Sequence, residues 1–165
     1  MALSGREEKT PSNPRSDAIV LVLYYILQFI GVFFIAGLEA KTTYRLSLLL
    51  LGTLFLLGST FLATWALVSN PFLYPKLTVN QEAEHHVVSQ GPYKVIRHPT
   101  YSSAMLTSLS FPLFFQTPFV LFTSIMIIIL LIIRTHLEDS YLAKNLKGYE
   151  EYQARVRFRI LVGVW

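Results

Sequence analysis

The sequence predicts an all-α integral membrane protein with about four transmembrane helices, the last two forming a hairpin. Three observations carry that expectation. Hydrophobic residues make up 53% of the 165 and charged residues only 15%, with a mean hydropathy of +0.47, which lies outside the usual composition of soluble domains. Apolar runs approaching or exceeding the ~20 helical residues needed to cross a hydrocarbon core recur along the chain. Every Lys and Arg except Lys41 and Arg45 falls in segments that four spans would gather on one face, a bias that places that face in the cytoplasm. The same bias accounts for the net charge of +4, so nucleic acid is not an expected partner. The chain has no cysteine, which excludes disulfides, thiolate zinc sites and a cysteine nucleophile.

Residues 1–17 read as a polar tail, with Pro11, Pro14 and charges of both signs but no apolar periodicity. No cleavable signal peptide is evident there. The remainder, 18–165, reads as a single domain. Its first span is expected at 18–38, an apolar run interrupted by Gln28. A polar turn with Glu39, Lys41 and Arg45 leads to a second span at 46–69, where Gly52, Gly58 and Ala63 suit close helix contact. Residues 69–103 are too long a connection to be idle. They hold Phe72, Tyr74, Val87, Val88, Tyr93, Val95, Ile96 and Tyr101, enough apolar material to fold back on the membrane surface.

The apolar run from Ala104 to Ile133 exceeds one span and is broken at Pro112 and at Gln116-Thr117-Pro118. Proline favours the first turn of a helix and disfavours helix in the residue before it. The run therefore divides into helices at about 101–115 and 118–146, a tight hairpin; the alternative is one kinked, tilted helix. The last helix should emerge from the bilayer, because helix formers continue past Arg134 with apolar positions at Leu137, Leu142 and Leu146 until Gly148, a stop signal. Residues 149–165, with Arg155, Arg157 and Arg159 at alternate positions, read as extended or interfacial rather than helical.

Two polar clusters then meet on the charged face. In GPYKVIRHPTYSS, Gly91 to Ser103, one turn at Gly91-Pro92-Tyr93 and another at His98-Pro99 stand just before Tyr101, which opens a helix. A lone Tyr, His or Arg at headgroup level is usually an anchor. Their density here, beside turns of fixed φ, suits a grip on a flat heterocycle. His85 and His86 extend the set upstream, but adjacent side chains diverge, so no metal site is expected from them. Arg134 and Glu138 are four apart and share a helix face. They are either an interfacial ion pair or a divided pair, with Arg134 holding an anionic substrate group and Glu138 hydrogen-bonding a cofactor. Asp139 and Tyr141 lie close by. No Rossmann, P-loop, nucleophile-elbow or HExxH pattern occurs, and the apolar runs lack the interior charges of a transporter or ion pore.

GPYKVIRHPTYSS, followed by RTHLED and then GYEEYQARVRFRILVGVW, resembles the isoprenylcysteine carboxyl methyltransferase family and related integral membrane methyltransferases, including phospholipid methyltransferases. The similarity covers His85 to Trp165; the first two spans match only in hydropathy. The resemblance implies transfer of a methyl group from S-adenosylmethionine at the membrane, with the cofactor enclosed by a cytoplasmic loop and the C-terminal segment. It implies cofactor contacts from His85, His86, Val87, Val88, Tyr93, His98, Pro99, Thr100, Tyr101 and Glu138, and a substrate contact from Arg134. Arg134 and Glu138 are then the expected catalytic pair, without a metal. Three positions depart from the family pattern: Ser103 where glycine is common, which could tighten the space around the cofactor, Asp139 where a second glutamate is common, and Val162 where proline is common.

Chemistry agrees with that implication. Methyl transfer from a sulfonium is an in-line displacement, so alignment and exclusion of water supply much of the catalysis. A carboxylate acceptor, with a pKa near ~3.5, is already ionised at neutral pH and needs an arginine to place it rather than a base. The expected function is methylation of the carboxylate of a prenylated cysteine or similar lipid-like acid that arrives through the bilayer, with membrane lipids as the surroundings. An amine acceptor would have to lose a proton first, for which His98 and Glu138 are candidates. The alternatives are therefore phospholipid or other amine N-methylation, an NADPH-dependent sterol-type reductase, or a non-enzymatic membrane scaffold.

Overall fold

A computed structural model describes residues 14–72 and 86–163. Helix α1 (Pro14–Ile26), a π-helical turn (Leu27–Gly31) and α2 (Val32–Leu38) run on as one rod, because the residues at both junctions keep right-handed helical dihedrals. Next come α3 (Leu46–Ser69), a 3₁₀ turn (Gly91–Lys94), α4 (Pro99–Phe115), α5 (Pro118–Asn145) and α6 (Tyr149–Arg155). Among the described residues, three helical stretches are long and apolar enough to cross a membrane: Ala18–Leu38, Leu46–Ser69 and Pro118–Asn145. Their outward faces carry Phe29, Phe34, Leu54, Phe61 and Phe122, large apolar side chains left exposed by the protein itself. The fourth expected span, α4, has 17 residues, or ~25 Å at 1.5 Å per residue.

The π turn answers a register problem. Gln28, Val32 and Ala36 are all buried at intervals of four. In an α-helix four residues overshoot a full turn by ~40°, so a stripe of that period drifts off the contact face. One wider turn corrects the drift and sets Gln28 inward, where Oγ of Ser108 donates to its Oε1 at 3.0 Å.

Helices α3 and α4 pack antiparallel and closely. Oγ of Ser59 donates to the carbonyl of Ser103 at 2.7 Å and lies 2.6 Å from the Thr107 hydroxyl. Seven residues earlier on α3, a Cβ on Gly52 would stand 3.1 Å from Cβ of Leu113 and 3.3 Å from the Ser110 carbonyl, so the absence of a side chain there sets the approach. The hairpin turn falls at Gln116, left-handed at φ 54°, with Pro118 in the first turn of α5. Pro112 stays inside α4. Gln116 then ties this turn to the 39–45 connection: its side chain bonds both N and O of Arg45 at 3.0 and 3.1 Å, and its carbonyl accepts from Nζ of Lys41. Helix α4 thus runs from the 91–98 loop to the opposite end of the bundle. The α1–α2 rod packs against α5, and Val32, Ala36, Met105, Val120, Ile127 and Leu131 fill the interior.

The C-terminal expectation needs correction. Residues 149–155 form helix α6 rather than an extended segment. The alternate arginines mislead because Tyr149, Tyr152 and Val156, spaced three and four apart, make a helical face buried with Leu146. The preceding helix stops at Asn145 with Leu146 as its cap, and Gly148, at φ 85°, opens the next. Extended pairing begins only afterwards, where Phe158 forms an isolated parallel bridge with Ile96.

Candidate active site

The loop before α4 is laid across the end of α3. Gly91 has φ +55°, and a Cβ there would fall 2.2 Å from Oγ of Ser69 and 3.0 Å from Nε1 of Trp65. A residue with a side chain would meet both strain and collision. The turn buries Pro92 and Tyr93. Burial pushes the Tyr93 hydroxyl up to about 12, against the lowering effect of a hydrogen bond with Asn70. His98 then caps α4, with Pro99 at its first position, where the missing N–H costs nothing.

From this loop two side chains turn to α5. Asp139, 1% exposed, accepts from Nε and Nη2 of Arg97, both at 2.9 Å, and from the Tyr149 hydroxyl at 2.9 Å. It also accepts from Nε of Arg159 at 2.8 Å. Nε2 of His98 lies 3.1 Å from its Oδ1. A carboxylate can only accept, so this contact places the His98 proton on Nε2. Arg97 uses Nη1 on the carbonyls of Val156 and Arg157 at 2.7 and 3.0 Å. The backbone continues the attachment: N–H of Arg97 donates to Phe158 O at 2.9 Å and N–H of His98 to Arg159 O at 2.8 Å. Oγ of Ser102 reaches the Ile160 carbonyl at 2.6 Å, and the Tyr152 hydroxyl reaches the Tyr93 carbonyl at 2.7 Å. Tyr149 and Tyr152 are held protonated well above the ordinary range, in both cases chiefly by burial.

Glu138 faces a different corner. Its side chain keeps 26% exposure and accepts from the Tyr101 hydroxyl. That hydroxyl in turn accepts from Nε of Arg134 at 3.1 Å, while Nη2 of Arg134 stands 3.8 Å from Glu138 Oε2. Nδ1 of His98 is 3.8 Å from Glu138 Oε1, and the His98 and Tyr101 rings stack with centroids 5.8 Å apart. Arg134 is 3% exposed although it belongs to a helix apolar enough to span. A cation at such a position is expensive unless it is solvated by protein groups, and marks a functional site by default.

The tertiary structure therefore brings His98, Tyr101, Arg134 and Glu138 into one corner. The other expected residues are arranged around it. Pro99 is buried at the start of α4. The Thr100 carbonyl accepts from Oγ of Ser103 at 2.7 Å, so that hydroxyl is bonded within its own helix. Tyr93 lies within electrostatic reach of Glu138. Val87 packs on the Leu146–Tyr152 cluster and Val88 is half-buried. His86 sits edge-on to Phe72 with centroids 4.8 Å apart. His85 lies outside the described residues. Sequence reasoning placed Arg97 in the polar cluster without a partner and did not single out Tyr149 or Arg159; all three bond Asp139. The available signal was Asp139: an acid adjacent to Glu138 points ~100° away around the helix and needs basic partners of its own.

Three helices of spanning length among the described residues and a family match together support a membrane methyltransferase. Residues 49–144, more than half of the chain, match the isoprenylcysteine carboxyl methyltransferase (ICMT) family, and the chain belongs to that family. The match runs from α3 through almost all of α5. A search of curated proteins gives no match.

Proposed function

We propose that the chain transfers the methyl group of S-adenosylmethionine to the carboxylate of a prenylated cysteine or a similar lipid-like acid. The observation that carries this reading is Arg134, a nearly buried guanidinium within an apolar helix, oriented by Tyr101 beside Glu138. A fork of N–H donors beside the hydrocarbon suits a carboxylate on a lipid better than any neutral acceptor. The proposed topology has four passes, α4 being the short one, with the corner on the cytoplasmic side.

The corner also fits the methyl donor. Glu138 is a partly exposed carboxylate, suited to an ammonium group or ribose hydroxyls, and its charge would favour a sulfonium bound beside it. S-adenosylmethionine supplies an activated methyl group when bound. Glu138 would hold the donor, with His98 and Tyr101 as its aromatic wall. Tyr101, donating to Glu138 and accepting from Arg134, couples the two binding tasks through a single hydroxyl. Arg134 would align the acceptor oxygen, and the apolar walls would exclude water, so that proximity does most of the work.

The test incubates membranes containing the protein with methyl-labelled S-adenosylmethionine and a farnesylated cysteine analogue, followed by base treatment. Labelled methanol, released from an ester, supports the reading. Base-stable label would move the reading to amine N-methylation, which the His98 geometry favours as a second reading, because the bond of Nε2 to Asp139 turns Nδ1 toward the Glu138 side. Absence of S-adenosylmethionine binding at millimolar concentration would rule out both.

A further inference from the structure

Asp139 is not needed by the chemistry above, yet it is the most heavily bonded carboxylate described. Its donors come from the loop before α4 (Arg97, His98), from α6 (Tyr149) and from the segment after it (Arg159). Neither the loop nor that segment has a regular element long enough to hold itself in place. Their relative position is fixed by backbone bonds at and beside one isolated bridge, by the Ser102 and Tyr152 hydroxyls on the carbonyls of Ile160 and Tyr93, and by bonds that converge on Asp139 or pass through Arg97. Tyr149, Val156, Arg157 and Arg159 all lie beyond residue 144, where the family match ends.

We infer that Asp139 is a positioning residue: it clasps the 156–160 segment to the 93–98 loop and thereby fixes the His98 ring, with Nε2–H toward Asp139 and Nδ1 toward Glu138. The functional part of this inference rests on the corner being the methyl-donor site. The loop's half of that site is then competent only when the C-terminal segment is docked. Charge is essential to the clasp. An amide at position 139 would turn N–H donors against the guanidinium groups of Arg97 or Arg159, and buried bonds to charged groups are among the costliest to lose.

The test compares Asp139→Asn and Arg159→Met with the unaltered full-length protein in detergent. Arg159→Met removes the bond from the half-exposed donor at the rim and leaves Arg97 in place, so it is expected to fold even where Asp139→Asn does not. Tryptic release of the C-terminal segment at the exposed Arg155 and Arg157 reads docking directly. Initial rates give KM for S-adenosylmethionine, KM for the acceptor and kcat. Both variants should release the segment faster and raise KM for S-adenosylmethionine, each on the order of tenfold, while KM for the acceptor changes less than about twofold. Because the chain has no cysteine of its own, the pair Ile96→Cys and Phe158→Cys across the bridge offers a selective crosslink. Oxidation of that pair in the Arg159→Met protein should restore KM for the methyl donor. Unchanged tryptic release would overturn the clasp. A uniform loss of kcat and both affinities, with no rescue by the crosslink, would reduce Asp139 to a general structural residue. If the unaltered protein bound no S-adenosylmethionine while both variants still released the segment faster, the functional reading would fall and the clasp would stand.

Discussion

Nε of Arg134 donates to the hydroxyl of Tyr101 across 3.1 Å, joining α5 to the first turn of α4. The same hydroxyl donates to Glu138, so one phenol orients both the cation and the carboxylate of the proposed site. Tyr101→Phe keeps the ring stacked on His98 and removes only this connection. Affinity for methyl donor and acceptor should both fall, each by about tenfold, the scale of a lost hydrogen bond to a charged group. Steady-state kinetics at saturating levels of each ligand in turn would check this; loss of one affinity alone would contradict the shared role.

Arg134 and Glu138 should separate where Tyr101 does not. Glu138→Gln is expected to weaken S-adenosylmethionine binding by roughly tenfold or more, with a small effect on the acceptor. Arg134→Gln should do the reverse. Calorimetry for the methyl donor and KM for the acceptor measure the two independently, and equal losses in both variants would show that the division is wrong.

Gly91→Ala tests the seating of the loop. The substituted residue would have to hold φ +55° with its Cβ 2.2 Å from Oγ of Ser69. A strained left-handed residue costs about 1–3 kcal/mol, before the collision is relieved. Thermal denaturation in detergent should show a lower Tm, and S-adenosylmethionine binding should weaken as the loop lifts from α3. A variant with wild-type Tm and binding would mean that the turn adjusts freely.

Alkaline pH should destabilise the C-terminal end of the site. Burial raises the Tyr93 hydroxyl to about 12 and those of Tyr149 and Tyr152 further, against about 10 for an unfolded tyrosine. Between those limits the folded state retains protons that the unfolded state releases. The stabilisation is therefore complete below pH ~10 and declines as pH rises through the folded values. Tyrosinate absorbance and helical circular dichroism followed together should show these groups ionising as the fold is lost. If all nine tyrosines ionised near pH ~10 with helicity intact, the burial argument would fail.

Much of this protein was determined by its sequence alone. Apolar runs of bilayer length satisfy their backbone as helices, so helical stretches at 46–69 and 118–145 were legible, while the first helix begins at Pro14, four residues inside the stretch read as a polar tail. Gln116-Thr117-Pro118 fixed the hairpin through proline's local geometry, and the spacing of Arg134 and Glu138 placed them on one face. The same local reasoning failed at 149–155, where alternating arginines concealed the helical face of Tyr149, Tyr152 and Val156. Packing against Leu146 decided that segment. Local reasoning set Glu138 on the face of Arg134 but could not give Asp139 its partners. The helix turns these adjacent acids ~100° apart, one to a half-open corner beside Arg134 and the other into a buried set of donors from α6 and the 97–98 and 159 positions. Those donors are up to 42 residues away along the chain, and only the tertiary fold brings them together.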